Sequence, residues 1–214
     1  MKNIANRRVS VLYLVLVVTF CICLIVANLV EIKTIDLGPL TITAGVIIFP
    51  ISYIINDCVV EVYGLKRAKL MIWLGFASSL FVTLALQLSI ALPGSAEWTS
   101  QEAMEEIYGS VPRIVAASFL AFLCGSMVNA YTMARMKHTG NDAKRFSLRA
   151  ILSTVYGESV DSLIFFPIAF AGVLSWGMIA SLMATQIVIK TVYEIIILPV
   201  TICTVDRLRK AESK

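Results

Sequence analysis

Apolar residues run along this chain in six blocks, with the charges collected in the short stretches between them. The blocks span about 9–30, 40–63, 68–92, 112–136, 148–172 and 178–205. Each reaches the roughly 20 residues that an α-helix needs to cross a hydrocarbon core about 30 Å thick. The pattern predicts an all-α integral membrane protein, a single domain over residues 1–214 with six transmembrane helices. Residues 93–111 form the one long polar stretch, carrying Glu97, Glu102, Glu105 and Glu106. Thr99 and Glu102 have the form of a helix capping box, so a short amphipathic helix is expected on the membrane surface. Trp98 and Trp176 fall near span ends on the same side, as an interfacial aromatic belt requires. In the fourth block Ala117, Ala121 and Gly125 recur every fourth residue, a small-residue face suited to close packing against another helix.

Composition supports the membrane reading. The chain is 58% hydrophobic and only 15% charged, where a soluble domain has about 25% charged residues. Lipid needs no polar cover over such a surface. Lys2, Arg7 and Arg8 precede the first block as in a signal peptide. That block is longer than a signal core and lacks a small-residue cleavage site, so it reads as a retained helix.

The basic residues are asymmetric. Fifteen of eighteen fall at the amino terminus, in the second-to-third and fourth-to-fifth connections, and in the tail. Only Lys33 and Arg113 lie opposite, and Lys190 is inside a span. The positive-inside rule then places both termini in the cytoplasm.

Other classes are disfavoured. A net charge of +4 is too small to argue for nucleic acid as a partner. Cys21, Cys23, Cys58, Cys124 and Cys203 all sit in apolar runs without a C-x-x-C pair, as small fillers do. The single His138 lies in a polar loop, which removes most His-based metal sites and His-assisted triads. Neither Gly-x-Ser-x-Gly nor His-Glu-x-x-His occurs, so an intramembrane enzyme is not expected. No metal or other cofactor is called for.

The candidate chemistry lies in charges at membrane depth. The second block carries Asp57 and Glu61, the fifth Glu158 and Asp161, and the sixth Lys190 and Glu194. Each would cost about 2.5–3.5 kcal/mol at a lipid-facing helix centre, so they should face one another or water. Their spacing agrees. Phe49, Tyr53, Asp57 and Glu61 form one stripe, Thr154, Glu158, Asp161 and Phe165 a second, and Gln186, Lys190 and Glu194 a third. Asn28 and Asn129 would complete a polar interior. Glu61, close to a basic loop, is the best candidate for a plain interfacial ion pair. Five acids against one lysine suit a cationic ligand, a proton relay, or a neutral ligand rich in hydrogen-bond donors. Pro50, Gly157 and Pro167 stand beside the acids, where kinks or unwound turns would line a cavity. The acid pairs of the second and fifth blocks form a loose repeat, which would make two inverted three-helix halves.

Several motifs resemble the queuosine precursor transporter family, also called vitamin-uptake-transporter-like. They are Ala27-Asn28-Leu29 with Lys33 and Gly45, Phe49-Pro50-Ile51-Ser52-Tyr53-Ile54-Ile55-Asn56-Asp57, and Glu61-Val62-Tyr63-Gly64. Ser153-Thr154-Val155-Tyr156-Gly157-Glu158-Ser159-Val160-Asp161-Ser162 and Lys190-Thr191-Val192-Tyr193-Glu194 with Pro199 continue it over nearly the whole chain. The resemblance implies uptake of 7-cyano- or 7-aminomethyl-7-deazaguanine across the bacterial inner membrane, for salvage into tRNA modification. On that reading Asp57 and Glu158 accept from the ligand, and Asp161 is a second acceptor or proton site. Asn28 and Lys190 are then polar or charge partners, Phe49 or Tyr53 the stacking surface, and Glu194 a further substrate-binding candidate. The partners are the small molecule and the lipid bilayer, with a homodimer also open. The family in turn resembles the six-helix substrate-binding subunits of energy-coupling-factor importers, which makes such an ATP-driven subunit the alternative. The first block lacks the Ala-x-x-x-Ala face those subunits often use, which favours a stand-alone carrier.

Overall fold

The computed structural model describes residues 10–38, 40–136 and 143–212. Helix α1 (Val11–Val30) starts where the Ser10 hydroxyl accepts from the Leu12 N–H, satisfying one of the free donors of the first turn. A two-stranded antiparallel hairpin follows, β1 (Thr34–Leu37) with β2 (Leu40–Thr43). A single 3-10 turn (Ala44–Ile47) then leads into α2 (Phe49–Tyr63). Gly64, at φ +83°, separates α2 from α3 (Leu65–Ala91), in a conformation that only glycine adopts without strain. The short α4 (Gln101–Tyr108) precedes three long helices, α5 (Val111–Met136), α6 (Ala143–Phe170) and α7 (Trp176–Glu212).

Among the described residues four helical stretches are long and apolar enough to cross a membrane: Val11–Val30, Leu65–Ala91, Gln101–Asn129 and Trp176–Ile197. Large apolar side chains cover the outside, with Phe81 73% and Ile196 67% exposed, as a lipid-facing surface allows. The other two expected spans differ from the expectation in instructive ways. The 40–63 block is no continuous helix. Its first residues are Thr- and Ile-rich and pair as β2, and the remaining helix has 15 residues. That is about 22 Å of helix, short of the hydrocarbon thickness. Pro50 sets the start: it lacks an N–H and its fixed φ suits the first helical turn, so it opens α2 and kinks nothing. In α6 the length is ample, but Glu158 and Asp161 with their polar neighbours lower its hydropathy.

The surface helix expected in 93–111 is α4, with a different start. Its N-cap is Ser100, without a side-chain cap, so the Thr99–Glu102 capping box does not form. Gln101 instead donates to the Ile90 carbonyl at 2.9 Å and to Glu105 at 2.7 Å, tying α4 to the end of α3.

Two apolar cores hold the bundle. One gathers Tyr13, Phe20, Val59, Met71 and Phe76 from α1, α2 and α3. The other gathers Ile114, Ala117, Ala121, Phe166 and Ile179 from α5, α6 and α7. The small-residue face on α5 packs on α6. A methyl placed on Gly125 would meet the Gly157 carbonyl oxygen at 2.9 Å, and one on Gly157 would meet Asn129 Cβ at 2.9 Å. Gly157 therefore serves close helix approach and does not unwind α6, contrary to the expectation of a break there. At the far end of α6, Arg113 Nε donates to the Ile168 carbonyl and Nη2 to the Ala171 carbonyl at 2.7 Å, so a cation covers the helix C-terminus.

Candidate functional site

The space between the two cores is the main cavity. Its volume is about 130 Å³, counted at the centres of water-sized spheres. On one side the 3-10 turn and α2 contribute Val46, Phe49, Asn56 and Asp57. Opposite are Gly125, Ser126 and Asn129 of α5, Thr154, Gly157, Glu158 and Asp161 of α6, and Lys190 and Tyr193 of α7. Asp57, Ser126 and Asn129 are exposed whereas Glu158 and Lys190 are buried, so the cavity narrows from an open mouth to a closed floor.

The floor is an ion cluster. Lys190 Nζ lies 2.9 Å from Glu158 Oε2 and 3.1 Å from Asp161 Oδ2, and it donates a hydrogen bond to the latter. All three side chains are largely removed from solvent, at 7%, 11% and 14% exposure. The ammonium also sits 4.7 Å from the centre of the Phe49 ring, a cation–π contact. A ligand stacking on Phe49 therefore takes its opposite face or replaces the ammonium. The Asp57 carboxylate at the mouth has no hydrogen-bond or ion-pair partner among the described residues, and Asn56 Oδ1 is buried without one.

Of the residues singled out from sequence, Phe49, Asp57, Glu158, Asp161 and Lys190 line this one cavity. The side chains of Tyr53 and Glu194 lie outside the described residues, as does His138. Asn28 does not reach the main cavity. It lines a second, smaller space of about 10 Å³ beside it, together with Glu31, Ser118, Phe165 and Gln186. Glu31 escaped the sequence reading because it stands at the end of an apolar block, where a charge normally meets the interface. Yet it is only 4% exposed, and it accepts a 2.6 Å hydrogen bond from the Thr43 hydroxyl.

Glu61 is away from the cavity. It pairs with Arg209 of α7, and both side chains are more than half exposed. Exposed pairs of this kind contribute about 0–1 kcal/mol. Glu61→Gln is therefore expected to leave transport and the melting temperature nearly unchanged, checked by uptake and thermal unfolding of the purified variant.

Comparison with known proteins gives the family. Residues 43–204 match the family described as "Putative vitamin uptake transporter". The chain is 29% identical over 173 residues to the "Probable queuosine precursor transporter" of Bacillus subtilis (strain 168), covering 81% of this chain and 76% of that one. It is 29% identical over 128 residues to the "Queuosine precursor transporter" of Escherichia coli (strain K12), covering 60% of this chain and 55% of that one. The corresponding figures for the protein so named, with "Probable", in Haemophilus influenzae are 24%, 60% and 52%. The chain thus spans about half the length of these last two relatives. No solved structure matches. The matched family consists of transporters and not of enzymes, and the match runs from the last residue of β2 into α7. With this match over most of its length, the chain belongs to the vitamin uptake transporter family, alongside the queuosine precursor transporters.

Proposed function

We propose that the chain carries 7-deazaguanine precursors of queuosine across the bacterial inner membrane, binding them in the cavity between its two helical halves. The observation that carries this reading is the Asp57 carboxylate, which has no hydrogen-bond or ion-pair partner among the described residues and lines the mouth of a cavity whose floor holds Glu158 and Asp161. A deazaguanine ring offers a ring N–H and an exocyclic amine side by side, and one carboxylate can accept from both. Phe49 supplies an aromatic face for the bicycle. The 7-substituent, cyano or aminomethyl, then points toward the Lys190 floor or back to the mouth. The names of the B. subtilis and E. coli relatives support the substrate class. In this reading α2 and α6 complete a six-segment bundle with α1, α3, α5 and α7. Both termini are cytoplasmic, so the structure faces inward, since the mouth lies toward the Arg135 and Arg209 ends of α5 and α7.

The test is uptake of radiolabelled 7-cyano- and 7-aminomethyl-7-deazaguanine into liposomes containing only this protein. Asp57→Asn and Glu158→Gln should each reduce uptake at least about tenfold, as loss of a charged acceptor removes about 1.5–3 kcal/mol of binding. Full retention of uptake in both variants would sink the assignment of the cavity. Uptake that requires an added ATPase would turn the reading to a substrate-binding subunit of an ATP-driven importer.

A further inference from the structure

Besides three residues shared with the main cavity, the small second space has a polar lining, Asn28, Glu31, Ser118 and Gln186, that the transport reading does not use. Along every helix its residues lie farther toward the hairpin end than those of the main cavity. Ser118 precedes Gly125 and Asn129 on α5, Phe165 follows Glu158 on α6, and Gln186 precedes Lys190 and Tyr193 on α7. Phe49, Asp161 and Lys190 belong to both linings, so the two spaces are stacked along the bundle with the ammonium at their partition. The small space has room for about one water.

Glu31 is built into its wall. One carboxylate oxygen accepts from Thr43, and the other, Oε2, fills the place where any side chain on Gly45 would go. A side chain at position 45 would displace the Glu31 carboxylate from this place. Asn28, 3% exposed, lines the same space, and its Nδ2 has no hydrogen-bond partner among the described residues. The charged groups facing Glu31 are Lys190 of α7, paired with Glu158, and Asp161 of α6. Among the described residues, the 3-10 turn, α2 and α5 present Gly45, Phe49 and Ser118 there, none of them charged.

We propose that Glu31 is a positioning residue for Lys190: when ionised it draws the ammonium toward the small space and frees Glu158 and Asp161 to accept from the ligand, and when protonated it leaves the ammonium on those two acids and the ligand is held weakly. The proton sits on the Glu31 carboxylate in the second state and passes to water in the first. The inference rests on the binding site proposed above. Glu31 titrates in a useful range, since burial pushes its carboxyl up to about 7, against smaller lowering by the Thr43 hydrogen bond and Lys190 and a small rise from Asp161. Because one ammonium is shared, the linkage is reciprocal: ligand binding must also favour release of the Glu31 proton.

The test is the Kd of the purified full chain for 7-cyano-7-deazaguanine at pH 6, 7 and 8, with wild type and Glu31→Gln. Wild type should bind several-fold more tightly at pH 8 than at pH 6, within the limit of about tenfold per pH unit for one linked proton. Glu31→Gln, which keeps an acceptor for Thr43 but cannot ionise, should bind at every pH with the weaker affinity of wild type at pH 6. A wild-type Kd that does not change with pH, or the same pH dependence in the variant, would overturn the proposal. So would loss of all binding in Glu31→Gln, which would make Glu31 a direct ligand contact. A folded wild type that binds neither deazaguanine at any pH would instead remove the substrate assignment, and this inference with it.

Discussion

Lys190→Ala is expected to abolish uptake and to lower the melting temperature more than any other single substitution in the bundle. The ammonium holds Glu158 at 2.9 Å and Asp161 at 3.1 Å in a region where all three side chains are at most 14% exposed. Removing it leaves two buried acids without their counter-ion. Breaking a buried pair by deleting one partner costs about 3–5 kcal/mol, because the remaining charge stays desolvated. Replacing the whole cluster is a different matter, since well-packed neutral side chains of similar volume bury without that penalty. The triple variant Lys190→Met, Glu158→Gln, Asp161→Asn should therefore recover most of the lost stability while still failing to transport. Thermal unfolding in detergent and uptake in liposomes separate the two effects. A Lys190→Ala protein as stable as wild type would show that the cluster is solvated and not a closed floor.

The second large effect is expected at the crossing of α5 and α6. Gly157→Val would place side-chain atoms where even a single Cβ meets Asn129 Cβ at 2.9 Å and the Gly125 carbonyl oxygen at 3.0 Å. Backbone on a packed helix cannot step aside as a flexible side chain can, so the helices must part. Overpacking of this kind costs typically about 1–3 kcal/mol. Parting the helices also displaces Asn129 and Glu158, which line the cavity on either side of the contact. Lower melting temperature and loss of ligand binding should therefore appear together, with Gly157→Ala milder in both. Gly177→Ala is the control: an added methyl there meets nothing within 4 Å, and it should be neutral in both measurements.

Much of this arrangement was legible in the pattern of apolar blocks and intramembrane charges. The three- and four-residue spacing that put Phe49 and Asp57 on one stripe, and Thr154, Glu158 and Asp161 on another, is helical geometry, and helices did form there. What misled was the apolar stretch before Phe49. Leu40-Thr41-Ile42-Thr43 and Thr34-Ile35-Asp36-Leu37 both alternate apolar with polar, a strand signal that the long apolar block around the first of them obscured, and the two runs pair as a hairpin. The same hairpin explains why Glu31 could not be recognised. Its burial depends on Thr43 and Gly45 folding back onto the end of α1, a tertiary contact with no signature in the local sequence. Gly157 read as a breaker because glycine is a poor helix former, whereas its role depends on a neighbouring helix that only the packing reveals. The small-residue spacing on α5 pointed to the same contact from the other side, and there the sequence pattern named the face that packs.

The central claim is that the cavity closed by Lys190 binds a deazaguanine, and ligand-induced thermal stabilisation of the purified protein tests it most directly. A ligand that binds only the folded state raises the melting temperature with its concentration. The account predicts a concentration-dependent rise with 7-cyano- or 7-aminomethyl-7-deazaguanine, and no comparable rise with biotin. A cooperatively unfolding sample that neither base stabilises would contradict it.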